Sequence, residues 1–506
     1  KYVHLTTKIT PGISYTLKKG DKIFRNNGLI TPQLPIKKKF MLKIGDIVER
    51  YLQNGDHVIL NRQPTLHKGS MLGKKIIIRD EDNIRLNLAT TSSFNADFDG
   101  DEMNIHVPIS YTSRMEVEYL SNTKYNVISS QSSKPSIKIV QDSVLGIYLM
   151  TEKNEKIPRD QFFQFIMQLD NISIDWMLKK KALYTKLTKQ KDFTTHLLFS
   201  LLLPFDFELE TKTVCIKQGI LKSGIIKKSI LTSSHNCIIQ LLYKEYPIEI
   251  VYDFINNVQF LATSYLTVRG FSIGIKDCII SKQDEIKKAI ARCLLEARMV
   301  EENTHNPRIK EIKINAALSK ARDIGMRIAK NGMSKDNNFI KTVTSGSKGN
   351  FFNIAQIAGL LGQQNIYGQR IKPVLNKGKR SLPHYHFDIK KEHKKYESSG
   401  FITSSFVNGL PPRDYWFHAL TGRDGVTDTA VKTASTGYIQ RRMVKLLEDL
   451  KVYPDGSVRN SSGSIFQYSY GNDEFDPTET VVLNGKTPTF INAKRLINQL
   501  NVQNKN

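Results

Sequence analysis

The sequence predicts an α+β protein of several domains, and three stretches carry that prediction. Apolar residues alternate at period two around residue 80, recur at helical spacing over residues 284–298, and are dispersed through a proline-free run of helical composition from 413 to 450. The chain has 506 residues, 40% of them hydrophobic, enough for about three or four domains with real cores.

In chain order, residues 1 to about 125 read as β-rich. Lys75–Arg79 and Ile84–Leu88, joined by the polar turn Asp80–Asn83, read as a hairpin with Ile84, Leu86 and Leu88 on one face. From about 140 to 250 the periodicity is mixed and sets no order. Within it, His196–Pro204 is apolar, too short to cross a bilayer, and expected in a core. Residues 284–298 form the clearest short helix, because Ile286, Ala289, Ile290, Cys293, Leu294 and Ala297 share one face. Helical text continues at about 310–330 and 351–365, the second opened by the loop Ser345–Gly349, and lysine-rich linkers fill about 372–400. As one helix, residues 413–450 would run roughly 55 Å. Gly422, Gly425, Gly437 and the small or β-branched cluster Thr429–Thr436 are soft spots in it. Spacing leaves open a single bendable helix or two helices broken at Gly422–Gly425.

Charge bounds the partners. With 74 Lys+Arg against 48 Asp+Glu the formal net charge is +26, carried on folded surface and suited to polyanions, nucleic acid first. Cys215, Cys237, Cys278 and Cys293 show no C-x-x-C pairing, which excludes a disulfide scaffold and gives no zinc signature. No segment reads as membrane-spanning. The chain begins at Lys1 without an initiator Met or a leader, and it is expected to be a piece of something longer.

The segment Asn95-Ala-Asp97-Phe-Asp99-Gly-Asp101-Glu102 carries the most chemistry. On extended backbone Asp97, Asp99 and Asp101 share a face but lie about 6.6–7 Å apart, too far to share an ion. The backbone must curl, and Gly100 permits it. Three converging carboxylates repel one another unless a divalent cation neutralises them, which points to Mg²⁺. An EF-hand reading fails, because His106 stands where a bidentate Glu belongs and the entering segment is strand-like. The alternative is a solvated acidic turn; Phe98 and the apolar flanks favour a buried loop. Upstream, Arg62 in Asn61-Arg-Gln63-Pro64-Thr-Leu-His67 offers a planar fork of donors to a ribose or phosphate. Lys348 sits on a glycine-rich loop opening a helix, which suits an anion, without Walker spacing. The lysine runs 37–39 and 179–181 read as solvated faces, and His384 and His386 as structural.

Together these residues resemble the largest subunit of multisubunit DNA-dependent RNA polymerase, of the eukaryotic nuclear kind. Asn95–Asp101 matches that family's metal-binding loop in full. Asn61–His67 is similar to its nucleotide-sugar loop, Ser345–Gly349 with Gly362–Gln364 to its funnel, and Thr429–Arg442 to its bridge helix. The resemblance runs from about residue 45 to 475 and is weakest over a short pore region. It implies a double-psi β-barrel active-site domain over 1–140, a pore domain over 141–255, a funnel over 256–405, and the bridge helix with the start of a cleft domain over 406–506.

The implied activity is template-directed RNA synthesis from NTPs by two-metal nucleotidyl transfer, only in assembly with the second-largest and smaller subunits. Asp97, Asp99 and Asp101 would hold one Mg²⁺, a second ion arriving with the NTP. Arg62 and Asn95 would read the ribose, Gln63 and Pro64 would lie by the nascent pair, and Lys348 would approach the triphosphate. Lys432, Thr433, Ala434 and Tyr438 would lie under the template base, on a chain that also binds the RNA–DNA hybrid. The zinc-binding clamp, lid, rudder and trigger loop of the family are not found in this sequence. Thr421 and Asp424 stand where nuclear enzymes usually have Gly and Glu. The composition suits a nuclear enzyme, or a large DNA virus acting from the virion or a cytoplasmic viral factory.

Overall fold

A computed structural model describes residues 6–11, 15–18, 21–25, 28–30, 42–280, 283–334, 336–386, 392–483, 487–489 and a few positions up to 501. The lysine run 37–39 lies outside the described residues. The architecture is mixed, helices with several small antiparallel sheets. Among the described residues no helix is long and apolar enough to cross a membrane. The chain divides into two units: residues 1–143, 150–261 and 475–506 form the first, 144–149 and 262–474 the second.

In the first unit β1 (Thr6–Ile9), β2 (Lys22–Arg25), β3 (Gly28–Ile30) and β4 (Ile47–Tyr51) make a sheet of order β1-β4-β2-β3. Ile23 and Val48, paired across β2 and β4, are fully buried in its core. A second sheet, β6-β5-β7, is built from β5 (His57–Asn61), β6 (Met71–Lys75) and β7 (Asn104–His106). Alternate residues Val58 and Leu60 of β5 point into the core, with Leu72 of β6 beside them. The hairpin expected over 75–88 does not form. β6 ends at Lys75, and the chain after it bonds to the turn before β5: Gly55 N–H to Ile76 O at 2.9 Å, Ile76 N–H to Asp56 O at 3.0 Å, Ile78 N–H to Asn54 Oδ1 at 2.7 Å. Those groups are then unavailable to a ladder, and Ile77 is left 75% exposed with no sheet to cover it.

The region whose order the sequence left open folds around the apolar helix Thr195–Ser200, every residue of which is buried, as expected for a core segment. Against it pack the helix Ile174–Thr188 and a sheet of Leu209–Glu210, Val214–Lys217 and Ile220–Gly224. The 179–181 run is a solvated face only in part: Lys179 is exposed and Lys181 half-buried. Lys180 is fully buried, its ammonium donating to Pro204 O at 3.2 Å and Gly219 O at 3.1 Å and lying 4.6 Å from the Phe205 ring. Gly219 (φ +64°) must be glycine, since a Cβ there would collide with Pro204 O and the Lys180 ammonium.

The second unit is held by two antiparallel helices, Gln283–Asn303 and Pro307–Gly332. The predicted face is the buried one: Ile286, Ala289, Cys293 and Ala297 are covered, with Ile290 and Leu294 packed beside them. The second helix starts on Asn306, whose side chain accepts from Arg308 and Ile309 N–H ahead of Pro307 at the first turn. The helix expected over 351–365 is shorter: Phe351–Ile354 runs into a π-turn, Ala355–Gly359, and then a strand at Gly362–Gln363. Residues 413–450, by contrast, hold one continuous helix, Pro412–Leu447, of 36 residues. Three glycines at about 1 kcal/mol each do not break a helix without a proline.

Candidate active site

β5 ends at Asn61 and β7 begins at Asn104, and those two residues face each other across the ladder. Arg62 leaving β5 and the acid loop entering β7 therefore emerge at the same end of the sheet. On its other side the loop follows the short helix Thr91–Phe94, whose Phe94 is buried. That helix ends on Asn95 in the left-handed region (φ 48°, ψ 42°), a conformation asparagine tolerates. Both ends of the loop are thus anchored while its acids project outward.

Asp97, Asp99 and Asp101 each bring a carboxylate oxygen within 4.8 Å of the others. An octahedral divalent ion with oxygens at about 2.1 Å puts neighbouring ligands about 3 Å and opposite ones about 4.2 Å apart, so the three oxygens need to draw in by no more than about 2 Å to share one ion. The curl lies at Gly100, with φ +126°, which only glycine adopts without strain. The expectation of a buried loop is corrected: all three aspartates are exposed and Phe98 is 69% exposed. Anchoring at the ends, not burial of the tip, brings the acids together.

The electrostatics are uneven. The Asp97 carboxyl is raised above the usual range, first by its hydrogen bond with Asp99 and then by partial desolvation and the charges of Asp99 and Asp101. The Asp101 carboxyl is lowered, first by the Asp97 N–H at 3.1 Å and then by Arg62. The Arg62 Nε donates to Asp101 Oδ2 at 2.8 Å, and Nη1 reaches Phe94 O at 3.5 Å. An all-oxygen, acid-rich donor set of this kind fits a hard divalent cation such as Mg²⁺. Gln63 and Pro64 are exposed in the turn after Arg62, which Thr65 Oγ1 closes by donating to Asn61 Oδ1 at 2.8 Å.

Lys348 and the long helix belong to the second unit. Helix Asn338–Ser345 ends on Gly346 (φ +81°), Ser345 and Ser347 are buried, and Lys348 stands exposed between them and the Asn350 cap. The helix it opens is four residues long, so the expected helix-terminus attraction for an anion is slight, leaving the ammonium itself. On Pro412–Leu447, Lys432 pairs with Asp428, and Thr433 returns its hydroxyl to Thr429 O and Ala430 O at 3.0 and 2.8 Å. Ala434, Tyr438 and Arg442 form an i, i+4, i+8 stripe, with the guanidinium 5.7 Å from the Tyr438 ring. Lys432, Thr433, Ala434 and Tyr438 are all exposed.

Sequence models of RNA polymerase Rpb1 match the chain in succession: domain 2 over residues 1–123, domain 3 over 126–278, domain 4 over 296–402 and domain 5 over 409–499. The chain belongs to the RNA polymerase largest-subunit family. It is 44% identical over 517 residues to the DNA-directed RNA polymerase II subunit RPB1 homolog of Invertebrate iridescent virus 6, covering 96% of this chain and 50% of that protein. It is 36% identical over 484 residues to DNA-directed RNA polymerase II subunit RPB1-B of Trypanosoma brucei brucei, covering 90% of this chain and 26% of that protein. A Frog virus 3 protein named as a DNA-directed RNA polymerase is 36% identical over 444 residues, 86% of this chain and 33% of its own length. The chain thus spans a quarter to a half of the relatives it matches.

Within this largest-subunit family chain, the acid loop and Arg62 fall in the domain 2 match, Lys348 in domain 4 and the long helix in domain 5. The Arg62–Asp101 ion pair was not foreseen from sequence. Its signal is the pairing of β5 with β7, which two segments more than forty positions apart do not reveal by local pattern.

Proposed function

We propose that the chain is the catalytic portion of a DNA-directed RNA polymerase largest subunit, making RNA from NTPs on a DNA template once assembled with the second-largest and smaller subunits. The observation that carries this is the loop bringing Asp97, Asp99 and Asp101 within 4.8 Å of one another beside Arg62. The names of the viral and trypanosome relatives support it. The finer architecture follows: a double-psi barrel over 1–140, pore over 141–255, funnel over 256–405, and Pro412–Leu447 as the bridge helix.

Asp97, Asp99 and Asp101 would hold Mg²⁺, which supplies charge neutralisation for in-line attack of the RNA 3′ oxygen, a second ion coming with the NTP. Gly100 and Asn95 hold the loop in the shape that lets the acids converge. Arg62, already paired with Asp101, has guanidinium donors left over for a ribose hydroxyl, with Asn95 beside it and Gln63 and Pro64 by the nascent pair. Lys348 offers an exposed ammonium to a triphosphate. On the helix, Ala434 leaves room for a template base while Lys432, Thr433 and Tyr438 border it. The +26 charge serves the DNA template and the RNA–DNA hybrid.

The test is Asp99→Ala in the complete, assembled polymerase. Elongation on a preformed hybrid should be abolished while assembly and template binding persist. Appreciable RNA synthesis by that variant rejects the assignment.

A further inference from the structure

The helix Pro412–Leu447 is unevenly supported. Its first turns are rooted: Phe417 is buried with Leu361, Ile371, Tyr385 and Ile402, and Asp414 accepts from Ser404 Oγ at 2.9 Å. From residue 425 to the end of the helix nearly every position is exposed. Asp424 stands at the boundary, its Oδ2 accepting the backbone N–H of Tyr367 at 3.2 Å.

Tyr367 and Gly368 are the two central residues of a hairpin whose strands, Asn365–Ile366 and Gln369–Arg370, pair antiparallel. Both have positive φ, 48° and 74°, the tight turn that matches strand twist. The ladder pairs Ile366 with Gln369, so the N–H of Tyr367 lies outside it and is free for a partner. The hairpin is itself pinned to helix Pro307–Gly332. Arg370 makes a two-pronged ion pair with Glu311 at 2.7 Å, Asn315 Nδ2 donates to Gly368 O at 3.4 Å, and Asn365 Nδ2 donates to Asn315 Oδ1 at 3.2 Å.

We infer that Asp424 is a positioning residue, the brace that fixes the direction of the exposed part of the long helix against the Tyr367 turn. The inference rests on the reading of that helix as the one that meets the template. Leverage makes the contact matter. Ala434 lies ten residues beyond Asp424, roughly 15 Å along the axis, so a tilt of about 10° at the brace displaces it sideways by nearly 3 Å. A reacting geometry does not tolerate errors of that size. A carboxylate is also the right anchor, because a charged acceptor strengthens the bond to an N–H that has no other partner in the hairpin ladder.

The experiment compares Asp424→Ala and Asp424→Asn in the assembled polymerase, with Asp99→Ala alongside. Asp424→Ala should lower the maximal elongation rate roughly tenfold while the NTP concentration for half-maximal rate moves less. Asp424→Asn keeps an oxygen acceptor and should restore most of the rate. Amide exchange at Tyr367 should quicken in the alanine variant and stay slow in the asparagine variant, a readout independent of catalysis. Wild-type elongation by Asp424→Ala, equal impairment of both variants, or unchanged Tyr367 exchange overturns the brace. If that happens while Asp99→Ala is inactive, the active-site reading stands and only the brace falls. An active Asp99→Ala enzyme removes both.

Discussion

The acid loop and the surroundings of Lys180 are two concentrations of charge handled in opposite ways. At 97–101 three like charges are exposed, crowded within 4.8 Å, and balanced, among the described residues, by Arg62 at one corner. Around Lys180 one ammonium is buried completely beside aromatic rings and met by two carbonyl dipoles. The first arrangement leaves unsatisfied electrostatics available to a ligand. The second leaves nothing available and ties a helix, the Pro204 bend and the Gly219 turn into one piece. A buried ionisable group in this chain is therefore a fastening, and an exposed strained cluster is where chemistry is expected.

The largest effect on stability should come from the fastening. Lys180→Ala empties a buried volume and leaves Pro204 O and Gly219 O without their donor, a loss of about 3–5 kcal/mol. Lys180→Met keeps most of the stem, so its loss should be smaller. Denaturant midpoints, or amide exchange over Ile174–Thr188, rank the two. Equal midpoints for wild type and Lys180→Ala would break the comparison.

The same site gives a pH signature. Burial pushes the Lys180 ammonium down to about 7 from the ordinary 10.5, with Asp206 pulling weakly the other way. Between those values the unfolded lysine keeps its proton while the folded one has released it. The unfolded state then binds more protons, and stability contributed by this site rises with pH across that window. Protection of Ile174–Thr188 should increase from about pH 7 to pH 10 relative to Lys180→Met. A flat difference between the two proteins would mean that the carbonyls hold the charged form.

How much of this was legible in the sequence depends on where the determining partners lie. The helix face Ile286, Ala289, Cys293 and Ala297 was readable because helical periodicity is local. The convergence of the acids was readable because three aspartates and one glycine sit within five residues. Lys180 was misread since its burial depends on Pro204 and Gly219, tens of residues away. The 75–88 hairpin failed for a similar reason: its first half bonds to residues 54–56, which alternation alone cannot announce. Burial of the acid loop was inferred from Phe98, whose side chain turns to solvent. Spacing left one helix or two open over 413–450, because the cost of glycines is small against the absence of proline.

At the loop, Gly100→Ala should be felt in function more than in fold. The added Cβ meets open space, so the cost is the φ of +126° alone, about 1–2 kcal/mol if the backbone holds and less if it relaxes. Relaxation spreads the acids. The Mg²⁺ concentration for half-maximal elongation by the assembled enzyme should rise severalfold, with the thermal midpoint little changed. An unaltered Mg²⁺ requirement would show that the curl is set elsewhere.

The smallest effect on stability should come from Asp97→Asn, and its sign is the point. The Asp97 carboxyl is raised by Asp99 and Asp101, so the folded loop holds a proton more tightly than the unfolded chain does. Stability from this group is present at low pH and is lost as pH rises through the raised value, the reverse of Asp101, whose lowered carboxyl contributes above the ordinary aspartate range and loses that contribution as pH falls. At neutral pH the charged Asp97 therefore opposes folding slightly. An isosteric amide removes the repulsion and keeps the shape, so the thermal midpoint should hold or rise by a small margin. Elongation should nevertheless collapse, because the amide withdraws one anionic ligand from the set. Differential scanning of the assembled variant beside a primer-extension assay measures both. A clear drop in midpoint with full activity would mean that Asp97 is a structural residue, and would erase the distinction between the exposed cluster and the buried fastening.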